Sequence, residues 1–178
     1  MSIEETLNKY GITNYTINDD GVVDVDGGVD LNGYGLTELP LKFGKVTGNF
    51  TCKENQLTSL YGSPHTVGRN FNADSNKLTN LKGCPKIIVR HFRFLSNKID
   101  SLKDGPEMVG EDYECDDNLI YNLDGFDTKF GGEFYCDNNP LDSIFNVGDQ
   151  QFTDAFKIYK IVKDKEDMRI FLLLIQGW

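Results

Sequence analysis

Written in rows of 21 residues, the middle of the chain repeats column by column. Aromatic residues fall at Phe50, Phe71, Phe92, Tyr113 and Phe134, and an asparagine follows at Asn55, Asn76, Asn97, Asn118 and Asn139. Leu57, Leu78, Ile99, Ile120 and Leu141 come two residues later, then Leu60, Leu81, Leu102, Leu123 and Ile144. Val46, Val67, Ile88, Val109 and Phe130 close the rows, and Pro64, Pro85 and Pro106 share a column. A fixed period of this length is the mark of a stacked repeat, in which no row buries its apolar face alone. The start of each row, such as Phe50-Thr51-Cys52, alternates inward and outward as a short strand does. The inward asparagines are expected to pair with backbone groups of neighbouring coils that burial would otherwise leave unsatisfied. Gly62, Gly83, Gly105 and Gly125 suit the turn to the far side. A coil this short has no room for a long helix, so that side should be extended or a single 3₁₀ turn. The fold class expected is an α+β repeat solenoid, its 21-residue coils forming a parallel sheet.

The ends break the repeat. Ser2 and Glu5 form a capping-box pattern ahead of Leu7, with a stop at Gly11, and predict a helix near 3–10. Tyr15–Ile17 and Val22–Val25 flank Asn18-Asp19-Asp20-Gly21, a hairpin signal. Residues 1–28 therefore read as a helix-plus-hairpin cap and 29–147 as the solenoid. Residues 148–178 read as a helical cap, from Phe152, Ala155, Phe156, Tyr159 and Val162 at helical spacing and the apolar segment Met168–Ile175. Trp178 is expected to pack in that cap. All three parts make one structural domain.

The run Cys52-Lys53-Glu54-Asn55-Gln56-Leu57-Thr58-Ser59-Leu60 resembles the leucine-rich-repeat family. Pro64, nine residues after Asn55, is similar to the short bacterial repeats of secreted pathogen effectors. The row Asn76-Lys77-Leu78-Thr79-Asn80-Leu81-Lys82-Gly83-Cys84-Pro85 and the segment Thr16-Ile17-Asn18-Asp19-Asp20-Gly21 resemble leucine-rich-repeat-like proteins of large bacteriophages. The resemblance spans about residues 15–147. It departs at the first row, where Tyr34 stands in the asparagine column, and at the last, which lacks the glycine-proline turn. It implies a binding scaffold made during phage infection and transfers no catalytic residue.

Composition narrows the function further. The 178 residues carry a formal charge of −10, which argues against sequence-independent binding to a phosphate backbone. The charge is segregated: residues 44–104 hold ten Lys and Arg against four Asp and Glu, whereas 105–142 hold one lysine against eleven carboxylates. The longest apolar run, Ile170–Ile175, is far shorter than a membrane span. Residues 1–20 show no secretory pattern, and the four cysteines are expected as reduced thiols in a cytoplasm, which the resemblance implies is that of a bacterial host. Cys52, Cys115 and Cys136 share an inward column and should be core; Cys84, in a turn column, is the thiol expected to react.

Chemistry has little to build on. Asp19, Asp20, Asp24, Asp26 and Asp30 fail the calcium-loop template, since Val29 stands where its glycine belongs. No short-spaced zinc motif is present, and His65 and His91 fall on different surfaces. No nucleophile, base and orienting group converge, so neither an enzyme nor a cofactor is expected. The outward strand positions are the candidate partner-binding surface: His91, Arg93 and Leu95 in the middle coil, then Glu114, Asp116, Tyr135 and Asp137. Arg93, an exposed Leu95 and Tyr135 have the composition of an interface centre. The expectation is a monomeric, non-catalytic module binding a bacterial host protein, an inhibitor of host antiviral defence being one such role. Alternatives are an acidic mimic of nucleic acid, placing Glu111–Asp142 on a DNA-binding enzyme, and a virion component. Direct nucleic-acid binding through Lys86, Arg90, His91 and Arg93 is disfavoured by charge.

Overall fold

The computed structural model describes residues 1–140. The stack is a parallel β-solenoid of about five coils; each coil contributes two short strands, and the far side takes the extended of its two expected forms and pairs into a second sheet. The front sheet runs from Val29–Asp30 through Phe50–Thr51, Phe71–Asn72, Phe92–Arg93 and Tyr113–Glu114 to Phe134–Tyr135. The back sheet holds Phe43–Val46, Thr66–Val67, Ile87–Ile88, Met108–Val109 and Lys129–Phe130. Neighbours pair in parallel at the 21-residue offset, Phe50 on Phe71 and Val46 on Val67. The column expected merely to close each row is thus a strand of its own. A three-residue corner turns it into the next front strand, and at Gly110 a Cβ would collide with the Val89 carbonyl of the coil before.

Side chains from both sheets meet in one core. Phe50, Phe71, Phe92, Tyr113 and Phe134 are essentially inaccessible and stack with centroids 5.2–5.6 Å apart, a spacing at which rings attract beyond simple burial. Cys52, Cys115 and Cys136 lie in the core as expected. Cys84 does too, against expectation. Its column also holds buried Phe126 and points inward, and burial pushes its thiol up to about 12, so it is no reactive group.

The asparagine column is a ladder. In all five coils Oδ1 accepts from the backbone N–H nineteen residues earlier, at 2.9–3.1 Å. Nδ2 donates to the carbonyls 24, three and two residues earlier, as Asn76 does to Cys52, Ala73 and Asp74. Each rung joins two coils and satisfies groups that no strand reaches. The residue before each asparagine turns the chain inward in the left-handed region: Glu54, Ser75, Ser96, Asp117 and Asn138 have φ of 54–58°. A second left-handed column holds Gly62, Gly83 and Gly125, with Asp104 (φ 65°) in register where the sequence pointed to Gly105.

At the N-terminus α1 (Ile3–Lys9) carries the expected capping box: Glu5 N–H donates to Ser2 Oγ, and Ser2 N–H to Glu5 Oε2. Leu7 is fully buried in the core. Strands β1 (Tyr15–Ile17) and β2 (Val23–Val25) form the predicted hairpin, and β2 pairs in parallel with Phe43–Val46. A groove of about 390 Å³ on this hairpin includes Asp24, Asp26, Lys45 and Thr47. Both aspartates are committed there, Asp24 Oδ1 to Lys45 N–H and Asp26 Oδ1 to the Thr47 hydroxyl. Among the described residues α1 is the one helix. The helical cap expected at 148–178, with Trp178, lies outside them.

Candidate functional site: a charged face across the front sheet

The outward positions of the front sheet do structural work before any other. At the strand starts, each side chain reaches the next coil's backbone N–H. Asn49 Oδ1 accepts from Asn70, Asn70 Oδ1 from His91, His91 Nδ1 from Asp112 (3.4 Å) and Asp112 Oδ1 from Glu133 (2.7 Å). At the strand ends, Asn32 Oδ1 accepts from Lys53, Asp74 Oδ1 from Leu95, and Asp116 Oδ1 from Asp137. These N–H groups lie just beyond the sheet ladder, and a short Asn or Asp one coil away has the reach to close them.

The structure brings the seven predicted residues onto one face but changes what they offer. Arg93 is engaged on both sides, its guanidinium 3.2 Å from Asp74 Oδ2 and its Nε 3.5 Å from Glu114 Oε2. The second contact is an ion pair without hydrogen-bond geometry, and Nε is buried without an acceptor. His91 sits between Glu111, 2.7 Å from Nε2, and Asp112, whose Oδ2 is 3.1 Å from Nδ1. Leu95 is half-buried and not an exposed anchor. The Tyr135 hydroxyl donates to Glu133 Oε2 at 2.7 Å, which pushes its pKa up to about 12. Half-burial raises the Glu114 carboxyl above its ordinary value, against the opposing pull of Arg93 and His91.

The basic middle coil and the acidic coil after it therefore neutralise one another in part, within the molecule. Asp74, Glu111, Asp112 and Glu133 complete the cluster; Asp74 was not singled out as a site residue, and the other three entered only within the Glu111–Asp142 run of the mimic alternative. The signal for them is the repeat itself: Glu114 is 21 residues from Arg93 and Asp112 is 21 from His91, hence their lateral neighbours. His65 lies on the back-sheet side, its Nδ1 beside its neighbour Thr66 Oγ1. No helix among the described residues is long and apolar enough to cross a membrane.

Fold and face together define a parallel β-solenoid with an acidic, cross-linked front sheet. No protein-family profile, curated protein or solved structure matches the chain.

Proposed function

We propose that the protein is a non-catalytic protein-interaction module whose front sheet presents an acidic face, Glu111 to Asp137, to a basic surface on a partner. The observation that supports this is the charge balance of the face. Arg93 and His91 are already matched by carboxylates, and Glu114, Asp116, Glu133 and Asp137 continue the negative field beyond them. Such a field steers and orients a complementary protein more than it adds raw affinity, and Tyr135 on the same face supplies an aromatic contact. The resemblance to phage-encoded repeat proteins makes a bacterial cytoplasmic protein the partner class, a component of host antiviral defence among them. A second reading, mimicry of nucleic acid, is favoured by the registered spacing of the carboxylates on successive coils, and its partner is a DNA-binding enzyme.

The test is affinity capture from bacterial lysate with wild type and with Glu114→Gln/Asp116→Asn/Glu133→Gln. Each of these replacements removes a charge, while Asp116→Asn keeps an acceptor for Asp137 N–H and Glu133→Gln one for the Tyr135 hydroxyl. A basic protein retained by wild type and lost by the folded triple variant supports the proposal. If that protein also binds DNA competitively with this chain, the mimic reading wins. Retention unchanged by the triple variant, or a partner found only in assembled particles, removes the acidic face from the function.

A further inference from the structure

We propose that His91, Asp112 and Glu114 form a binding site for a divalent transition-metal ion, zinc by the chemistry of the donors. One ligand atom from each of these residues lies within 4.8 Å of the others. The orientation of the donors matters more than their number. His91 Nε2 lies 2.7 Å from Glu111 Oε2 and gives its hydrogen there, which leaves the lone pair on Nδ1, where an ion would displace the long 3.4 Å contact from Asp112 N–H. His91 Nδ1 also lies 3.1 Å from Asp112 Oδ2, so the two ligand atoms already stand side by side. A cation between them would take both as ligands. Two donors each about 2.0–2.1 Å from a tetrahedral zinc stand about 3.3 Å apart, close to the separation already present.

Both ligands are held from behind in the manner metal sites require. A ligating histidine commonly gives its second ring nitrogen to a carboxylate, here Glu111. Asp112 keeps Oδ1 on Glu133 N–H and has Oδ2 to give. Glu114 is half-buried and its one cationic contact lacks hydrogen-bond geometry, so a small rotation brings its carboxylate in. The imidazole selects against calcium and magnesium, which take oxygen ligands, and three protein donors leave a fourth position open. The ligands come from two adjacent coils, so the ion would also clamp one coil to the next. Short-spaced ligand motifs do not reveal such a site, because its donors are 21 and 23 residues apart.

The experiment is titration of the full chain with Zn²⁺ by calorimetry and with Co²⁺ by visible absorption. In parallel, the imidazole nitrogens are followed by NMR, with His65 as internal control. The expected result is one equivalent bound with the His91 signals shifted and those of His65 unmoved. His91→Gln, Asp112→Asn and Glu114→Gln should each weaken Zn²⁺ binding at least tenfold while circular dichroism shows them folded. Absence of binding at millimolar zinc, or binding that survives His91→Gln, overturns the proposal. So does Mg²⁺ competing as well as Zn²⁺, which marks a diffuse carboxylate field.

Discussion

Removing one rung of the asparagine ladder tests the account of what holds the coils together. Asn76 accepts from Leu57 N–H at 3.0 Å and donates to the carbonyls of Cys52, Ala73 and Asp74. In Asn76→Ala the Leu57 N–H is orphaned in the core, which costs about 1–3 kcal/mol. The carbonyls fare better, because Cys52 O keeps its bond from Asn55 and Ala73 O keeps one from Asn97. Losing the two amide hydrogens there costs about 0.5–1.5 kcal/mol each. The sum is about 2–6 kcal/mol, a large part of the stability of a domain this size. Asn97 makes the same four bonds but is half-buried where Asn76 is buried, so water replaces part of what Asn97→Ala removes and the loss should be smaller. Asn76→Asp keeps the Leu57 bond but sets a buried carboxylate against three carbonyl oxygens. At pH 7 it should lose at least as much as alanine. Its folded-state pKa must be raised, so it should regain stability as the pH falls toward 4 and the carboxyl protonates to become a donor. Urea unfolding followed by circular dichroism, with the m-value checked for loss of cooperativity along the stack, reads all three. A cost below about 0.5 kcal/mol for Asn76→Ala, or no pH response in Asn76→Asp, would refute the ladder as a stabilising element.

Three other outcomes follow from the same structure. Asp104→Gly should stabilise by a few tenths to about 1 kcal/mol, because Asp104 holds φ 65° in a column otherwise glycine; an unchanged urea midpoint would show the strain to be absent. Arg93→Glu should cost about 1–3 kcal/mol, more than Arg93→Met, since it sets a third carboxylate between Asp74 and Glu114; equal midpoints would show the ion pairs to be idle. Cys84, its thiol raised to about 12 from a usual 9 by burial, should resist thiol reagents at pH 8 until the chain unfolds. The folded state holds that proton more tightly, so the Cys84 contribution is whole below pH 9 and lost as pH rises toward 12; Cys84→Ala should flatten this limb of the stability curve. Rapid labelling of the native protein at Cys84 would contradict its placement in the core.

Much of this fold is legible in one dimension because a solenoid makes it so. With a 21-residue coil, the neighbour of residue i on the next coil is residue i+21. The inward columns, the aromatic stack and the asparagine rungs could therefore be named from the sequence, with backbone groups as the amides' expected partners, though which carbonyls they reach could not. Apolar periodicity and the capping box likewise placed α1 and the hairpin to within a residue or so.

Side-chain direction and charge pairing needed three dimensions. A column says that Cys84 recurs with Ser63, Gly105 and Phe126, but only the path of the turn points that column inward. Backbone handedness is equally silent in the sequence: Glu54 and Ser75 are not left-handed formers, yet the turn before each buried asparagine demands that conformation. That the far side pairs into a second sheet was not legible, because one apolar closing column per coil fits an extended chain and a 3₁₀ turn alike. Above all, Arg93 and His91 looked available because charge was counted along the chain. Coulombic pairing acts across space, and the stack sets carboxylates of adjacent coils against both cations. The repeat determined which residues are neighbours; the folded stack decided which of them use each other up.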